Sequence, residues 1–370
     1  MTSAPTRPVD VPPYQVQSLL TGVFENLHGL SGAPVKIRCA QALGSEIYVG
    51  CSNGELLRFA LQANSPNSSE SYTLLSRQSL PNDKPAESIV VVPSISRALV
   101  LSDRQVHFYT IPALDPVSPQ VIKPIRNVVT FAVDEQHLRR PAVIQSNIPQ
   151  PVEPVEFCII KRSSISLYSL LDRLSLQKEI PLQTGASISL ARRSGRFLCL
   201  ADKENYNVID LNAASMIPLM PLSQAFDSPV IVKPSITVVS DHEFLILSWT
   251  GSTTLGLFIT GEGDPVRGTL EWPDHPQAVC LDYPYITTLL PNGTIEIHSV
   301  ETQSIVQVVP APSDIPTPFV PIPVDRLSLV YTAAGYLVPS SQSSDKLRKV
   351  PVRLLRGGSP SQPAAVVQND

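Results

Sequence analysis

The chain has 370 residues, of which 43% are hydrophobic and 16% charged, with a formal net charge of −4. This composition excludes global disorder, and the slightly negative charge argues against nucleic acid as the main partner. No stretch approaches the roughly 18 consecutive apolar residues of a membrane-spanning helix, and the N-terminus lacks the apolar core of a signal peptide.

A short unit recurs along the chain: an apolar run, a tight polar turn, and a second run that alternates apolar and polar residues. Its clearest copy is the segment 47–59, IYVGCSNGELLRF, which turns at Asn53-Gly54. The other copies turn near Asp103, Ser164, Asp202, Gly251, Asn292-Gly293 and Ala334-Gly335. A period of about 40–50 residues with several strands per unit is typical of a β-propeller.

Seven blocks of strands follow one another, separated by turns rich in proline. They span residues 35–80, 87–124, 127–182, 187–222, 230–272, 278–310 and 327–355. A proline-rich insertion at 137–154 lengthens the third block. The seventh block is short of strands, and the strand-like run 14–23 is expected to complete it and so to remove two open sheet edges. We therefore predict an all-β, seven-bladed β-propeller that is closed by an N-terminal strand.

This propeller is expected to occupy residues 14–356. Residues 1–13 are predicted to be a disordered N-terminus. Residues 357–370, which are rich in Gly, Ser, Pro and Gln, are predicted to be a flexible tail or the start of a linker. The polar segments 63–71 and 340–346 are expected to be surface loops.

The five cysteines are an odd number, and none of their spacings matches a metal-binding motif. They are Cys39, Cys51, Cys158, Cys199 and Cys280. Each lies in or beside an apolar run, where cysteine behaves as a small hydrophobic residue. We therefore expect reduced, buried thiols in a cytosolic protein.

Local catalytic patterns are weak. His242 lies between Asp241 and Glu243, but three adjacent residues cannot easily face one metal ion. The glycine-rich segment 261–265 is not followed by a helix, as a phosphate-binding loop would be. Both segments are expected to be turns. We predict a protein that is not an enzyme, with no catalytic, cofactor-binding or metal-binding residues, although a site assembled from distant blades would leave no local pattern.

Basic residues suggest a candidate interaction surface. The turn at 192–196 carries Arg192, Arg193 and Arg196, the insertion carries Arg139 and Arg140, and further cations lie at 346–356. Three interpretations remain open. These residues form solvated turns that keep the surface soluble, they contact anionic lipid headgroups, or they form a charged rim for an acidic protein partner.

The ordered series of strand runs resembles the citron homology (CNH) domain. The runs that carry the resemblance are 35–39 (VKIRC), 44–56 (GSEIYVGCSNGEL), 97–117 (RALVLSDRQVHFYTIPALDPV), 128–133, 197–201 and 284–299. No single motif is specific, and the resemblance covers about residues 15–340. Because the domain starts close to the N-terminus, the chain is most similar to the TGF-β-receptor-associated protein family of CORVET tethering subunits. Subunits of the related HOPS tether are the nearest alternative.

The resemblance implies a seven-bladed propeller that recognises an early-endosomal Rab GTPase in its GTP form and promotes vesicle tethering and fusion. It also implies a cytoplasmic protein, peripherally associated with endosomal or vacuolar membranes. Other tethering-complex subunits would be bound through an α-solenoid and a RING-like end that this sequence lacks, so we expect the chain to be a fragment or a truncated product. The alternatives are a propeller that binds phosphoinositides or anionic membranes, and a HOPS-type relative that acts at the late endosome or vacuole.

Overall fold

The computed structural model describes residues 12–21, 35–62, 71–142, 152–182, 187–225, 232–311, 330–332, 335–339 and 343–349. Strands dominate these residues. Their only helices are the single turn α1 (Glu135–Leu138) and two short 3-10 turns, Pro81–Asp83 and Pro93–Ile95. The predicted tail 357–370 and all but the last two residues of the predicted segment 1–13 lie outside the described residues.

After the first strand, β1 (Tyr14–Thr21), come six blades that are each built from four consecutive antiparallel strands. Blade 1 comprises β2 (Ile37–Leu43), β3 (Glu46–Cys51), β4 (Glu55–Gln62) and β5 (Ser71–Ser79). Blade 2 comprises β6 (Ala86–Val92), β7 (Arg97–Ser102), β8 (Gln105–Thr110) and β9 (Ile125–Arg126). Blade 3 comprises β10 (Thr130–Val133), β11 (Val155–Ile160), β12 (Ser164–Leu170) and β13 (Leu174–Pro181).

The next three blades repeat this pattern. Blade 4 comprises β14 (Leu190–Ser194), β15 (Phe197–Ala201), β16 (Asn205–Asp210) and β17 (Ser215–Pro221). Blade 5 comprises β18 (Ile236–Ser240), β19 (Glu243–Trp249), β20 (Thr254–Thr260) and β21 (Leu270–Trp272). Blade 6 comprises β22 (Ala278–Asp282), β23 (Tyr285–Leu289), β24 (Ile295–Ser299) and β25 (Ile305–Val309).

The remaining strands form a composite sheet from the two ends of the described chain. Its strands are β1, β26 (Val330–Thr332), β27 (Gly335–Pro339) and β28 (Ser343–Lys349), in the order β1-β28-β27-β26. β26 contacts β2 and β22, so this sheet lies between blades 1 and 6. Tyr14 joins it to blade 6, because its hydroxyl donates a 2.7 Å hydrogen bond to Asp282 Oδ2. The main-chain N–H and C=O of Tyr14 also pair with the Gln307 side-chain amide.

The prediction of a seven-bladed propeller is therefore corrected to six blades. Only the sheets between Ile37 and Val309 are blades of four consecutive strands. The block 327–355 supplies three strands and is not a further blade of the same kind. Its shortage of strands has a direct physical cause: the fourth partner is β1, from the other end of the chain, which pairs with β28.

The first strand of each blade is innermost, because first strands of neighbouring blades contact one another, as β10 and β14 do. The blades pack face to face through apolar side chains; Phe108, Phe131 and Phe157, for example, belong to one buried cluster between blades 2 and 3. The fourth strands are outermost, and most residues of β13 and β17 are exposed. The interior of the ring is thus a series of apolar layers between blades.

Each blade has two ends, and these form the two faces of the ring. Face A consists of the turns after the first and third strands, such as 194–197 and 211–214. Face B consists of the turns after the second strands and of the connections between blades. The recurring turns noted from Asn53 to Gly293 lie on face B; Gly54 and Gly293 there have φ angles of +81° and +84°, which favour glycine.

Two buried titratable groups lie between blades 5 and 6. His298 is 2% exposed, and its ring centroid is 5.1 Å from that of Trp272. Burial lowers the pKa of His298 to about 4, while burial raises the pKa of the buried Glu296 carboxyl. Because an unfolded histidine titrates near its ordinary pKa, the unfolded chain binds a proton at pH 4–6.5 that folded His298 rejects.

We expect this histidine to make the fold sensitive to acid. Replacing His298 by Phe should remove about 3 kcal/mol of the stability loss that occurs between pH 7 and pH 4. Urea unfolding of wild-type and His298→Phe proteins over this pH range measures the difference. Glu296 acts in the opposite sense, and its Oε2 lies 4.0 Å from His298 Nε2, so the comparison is made in a Glu296→Gln background to isolate the histidine. If the free energy of unfolding depended on pH equally in the two proteins, the assignment of this acid sensitivity to His298 would be wrong.

Candidate functional site

Arg193, one of the predicted surface residues, is buried at the contact between blades 3 and 4. It lies on β14 and is only 5% exposed. Its Nη2 is 2.5 Å from Glu156 Oε2 on β11, and its Nε is 3.6 Å from Asp134 Oδ2. Its Nε also donates to the Gly195 carbonyl at 2.8 Å. Arg193 therefore joins two blades rather than projecting toward a partner.

Asp134 organises face A around this arginine. Its Oδ1 accepts hydrogen bonds from the Gln136 N–H, which begins α1, and from the Gly195 N–H in the neighbouring blade. Within α1, His137 Nδ1 accepts the Glu156 N–H at 2.9 Å. Burial lowers the pKa of His137, which favours the neutral ring that this acceptor role requires. One carboxylate and one imidazole thus fix α1 against both blades.

The Arg193 guanidinium also lies close to the buried thiol of Cys158. Nη1 has no hydrogen-bond partner among the described residues. Burial raises the pKa of Cys158 to about 12, so its sulfur stays a protonated, weak acceptor. The buried charge is stabilised mainly by Asp134 and Glu156.

Arg196 and Arg192 are exposed, and both have partners. Arg196 Nη2 is 3.0 Å from Glu262 Oε1 in blade 5, and its guanidinium lies 4.5 Å from the centroid of the Phe197 ring. Arg192 donates to the Ala191 carbonyl at 3.0 Å. Although Arg192 has exposed surface, the protein atoms around its guanidinium lower its pKa by desolvation, and Glu135 partly opposes this.

Arg139 and Arg140 lie just after α1. Arg140 Nη1 donates to the Pro154 carbonyl at 2.9 Å, and its Nη2 is 3.2 Å from Glu153 Oε2, so it joins the two sides of the insertion. Arg139 is exposed, and within the described residues its guanidinium makes no hydrogen bond or ion pair. Residues 143–151 of the predicted insertion lie outside the described residues.

A cavity of about 520 Å³ runs between blades 3 and 4 on face A, and we call it the inter-blade groove. It is lined by Asp134, Glu156, Leu167, Tyr168, Gln177, Lys178, Arg193, Gly195, Arg196, Leu211 and Asn212. Lys178 Nζ donates to the carbonyls of Leu211 and Asn212 at 2.8 and 3.0 Å. Charges of both signs and apolar side chains share this groove, and its cations already have partners. Such a surface suits a protein better than a simple anion.

Asp134, Glu156 and Lys178 were not predicted from the sequence as site residues. Asp134 precedes a helical turn in the pattern of an N-cap, a signal that was available in the sequence. No local pattern marks Glu156 or Lys178, because both side chains bind residues of the neighbouring blade, which the sequence does not identify. No group of three or more His, Cys, Asp or Glu side chains in the described ranges could hold a metal ion.

The five cysteines form no disulfide bond. All five thiols are free; Cys51, Cys158 and Cys199 are buried as predicted, whereas Cys39 and Cys280 are half-buried. Among the described residues, no helix is long and apolar enough to span a membrane.

Comparison with known proteins identifies the family. A family model described as the VPS3 N-terminal domain matches residues 33–311. The chain belongs to this family. The match begins just before β2 and ends just after β25, so the matched residues coincide with the six blades.

Relatives agree with this assignment and with the resemblance noted in the sequence. Transforming growth factor-beta receptor-associated protein 1 of Mus musculus is 25% identical over 75% of this chain, and vacuolar protein sorting-associated protein 3 of Saccharomyces cerevisiae is 23% identical over 78%. The VPS3-family chain covers only 30% and 26% of these two relatives.

A solved structure supports the fold. The AfRom2 CNH domain matches 92% of this chain and all of its own length, with a TM-score of 0.51 and 18% sequence identity. At this identity the likeness concerns the fold alone. The predicted resemblance to CNH domains and to the vacuolar-sorting family is confirmed.

Proposed function

We propose that this propeller is the Rab-binding module of an endosomal tethering subunit. It would bind an early-endosomal Rab GTPase in its GTP form and so promote vesicle tethering and fusion. The observation that carries the proposal is the family match, which covers the six blades themselves. The names of the relatives add a role in vacuolar protein sorting. A peripheral position on endosomal or vacuolar membranes follows from this role.

Face A around the inter-blade groove is our candidate for the docking surface. Arg139 and Arg196 are two of its exposed cations, and the groove lined by Arg196 combines Tyr168 and Leu167 with paired charges. A rim of cations around a mixed groove favours association with an acidic protein surface. Arg193 and Arg140 would position this surface rather than contact the partner, because the protein itself already uses their guanidinium groups.

Capture by immobilised Rab proteins tests the proposal. We expect the 370-residue chain to bind an early-endosomal Rab loaded with a GTP analogue and not the same Rab loaded with GDP. Charge reversal at Arg139 and Arg196 together should weaken binding about tenfold. Lys203→Glu is the matched control, because Lys203 is an exposed cation of blade 4 on face B.

The same capture experiment with a set of different Rab proteins also distinguishes a CORVET-type from a HOPS-type role. Preference for a late-endosomal Rab would favour a HOPS-type role over a CORVET-type role. Absence of any nucleotide-dependent partner would overturn the proposal for this chain. Contacts with other tethering subunits are proposed to lie in the parts of the relatives that this chain does not cover.

A further inference from the structure

A second cavity, of about 460 Å³, lies on face B, opposite the inter-blade groove. It is formed by the turns after the second strands of blades 2 and 3 and by the two connections that flank blade 3. Its lining consists of Arg104, Val128, Val129, Lys161, Arg162, Ser187 and Ile188, and we call it the basic pocket. No local sequence pattern predicts this pocket, because its three cations come from turns of two different blades.

The basic pocket differs from the groove in its charge. Arg104, Lys161 and Arg162 contribute three cations to the lining, and no carboxylate among the described residues lines it. Within the described part of the chain, none of these three side chains makes a hydrogen bond or an ion pair. Lys161 interacts electrostatically with Glu179, whose carboxylate accepts hydrogen bonds from the hydroxyls of Ser164 and Ser166. The other neighbouring acid is Asp103, next to Arg104 in the same turn.

The base of the pocket is apolar, and its main chain is hydrogen-bonded. Val128 and Ile188 are buried, and the Val128 N–H is bonded to the Arg104 carbonyl at 2.9 Å. The N–H groups of Val129 and Lys161 are likewise bonded, to Ile160 and Ser164. Since these main-chain donors are already used, a ligand would be held by the three side-chain cations. An apolar base strengthens those charges by excluding water.

We propose that the basic pocket binds a compact ligand carrying more than one phosphate. Unpaired cations that converge from two turns match phosphate oxygens spread around a small ring or chain. This chemistry has two sources, the headgroup of a phosphoinositide and a soluble inositol phosphate. The site is independent of the proposed Rab contact, because it lies on the opposite face of the ring.

Two probes test the pocket and separate the sources. Inositol trisphosphate is titrated into the 370-residue chain by calorimetry, and co-sedimentation uses phosphatidylcholine vesicles with and without a phosphatidylinositol phosphate. The double variant Arg104→Glu, Arg162→Glu should bind at least about tenfold more weakly than wild type. Lys203→Glu, an exposed cation on the same face, should bind as wild type does. Thermal unfolding confirms that each variant folds, and the milder Arg162→Gln replaces any that does not.

Each outcome has a definite meaning. Saturable binding of the free probe without vesicle binding identifies a soluble ligand, and vesicle binding that depends on the phosphoinositide identifies a lipid headgroup. Absence of saturable binding to both probes, or equal weakening by Lys203→Glu, overturns the proposal. Rab capture by the pocket variant should remain unchanged, so failure of this inference and failure of the Rab proposal are distinguishable.

Discussion

Replacing Gly261 by Ala is expected to destabilise the propeller by about 3 kcal/mol, through overpacking of a rigid contact. A Cβ atom at this position would lie 2.2 Å from Cγ and Cδ2 of Phe197, which no side-chain contact tolerates. The Phe197 ring cannot move away easily. It is buried, it meets the His242 ring edge-on at 5.3 Å, and Arg196 covers it.

Thermal and urea unfolding of the two glycine variants of blade 5 measure this effect. Gly268→Ala is the matched control, because its added Cβ would meet Gln303 Oε1 at 3.1 Å, the end of a side chain that can shift. We expect a clear loss of stability for Gly261→Ala and little change for Gly268→Ala. Equal unfolding midpoints for the two variants would contradict the prediction, because they would show that Phe197 of blade 4 moves aside for the added Cβ atom at little cost.

Replacing Arg193 by Met should also cost about 3 kcal/mol, because it leaves a buried carboxylate without its cation. Asp134 is 3% exposed on its side chain and would bear most of this cost. Glu156 is 47% exposed, so water would replace much of what its carboxylate loses. The change removes the charged link between blades 3 and 4 while keeping a side chain of similar length.

Arg196→Met is the comparison for this prediction. Its ion pair with Glu262 is exposed on both sides, and such pairs contribute less than about 1 kcal/mol. Adding Asp134→Asn to Arg193→Met should restore part of the lost stability, since the unpaired buried charge is then gone. If the Arg193 and Arg196 variants unfold alike, the link between blades is not a major source of stability.

Local chemistry made much of the fold predictable. Gly54, Asp103 and Gly293 lie in tight turns with positive φ, and these residue types tolerate that conformation better than most. The turns therefore marked the second hairpin of successive blades correctly. The same repeat led to a count of seven blades, which is wrong. The N-terminal run does pair with the last block, as predicted, but β1 and β28 belong to a composite sheet and not to a blade of four consecutive strands.

The candidate site was harder to predict. Arg192 and Arg193 are neighbours in sequence, yet one is exposed and the other buried, because successive residues of a strand point to opposite sides. A cluster of arginines in sequence is thus not a cluster on the surface. The basic pocket is the converse case, since Arg104 and Arg162 are far apart in sequence and only the ring brings them together.

The composite sheet also determines the order in which parts of the chain can fold during synthesis. Each of the six blades can pair its strands as soon as those four strands have left the ribosome, since its contacts are local in sequence. The composite sheet cannot form until β28 has emerged, because β1 must pair with it across nearly the whole described chain. Until that moment β1 has no partner strand, and the sides of blades 1 and 6 that contact β26 stay uncovered. The nascent propeller therefore passes through an open ring, which is the state most in need of protection from other chains.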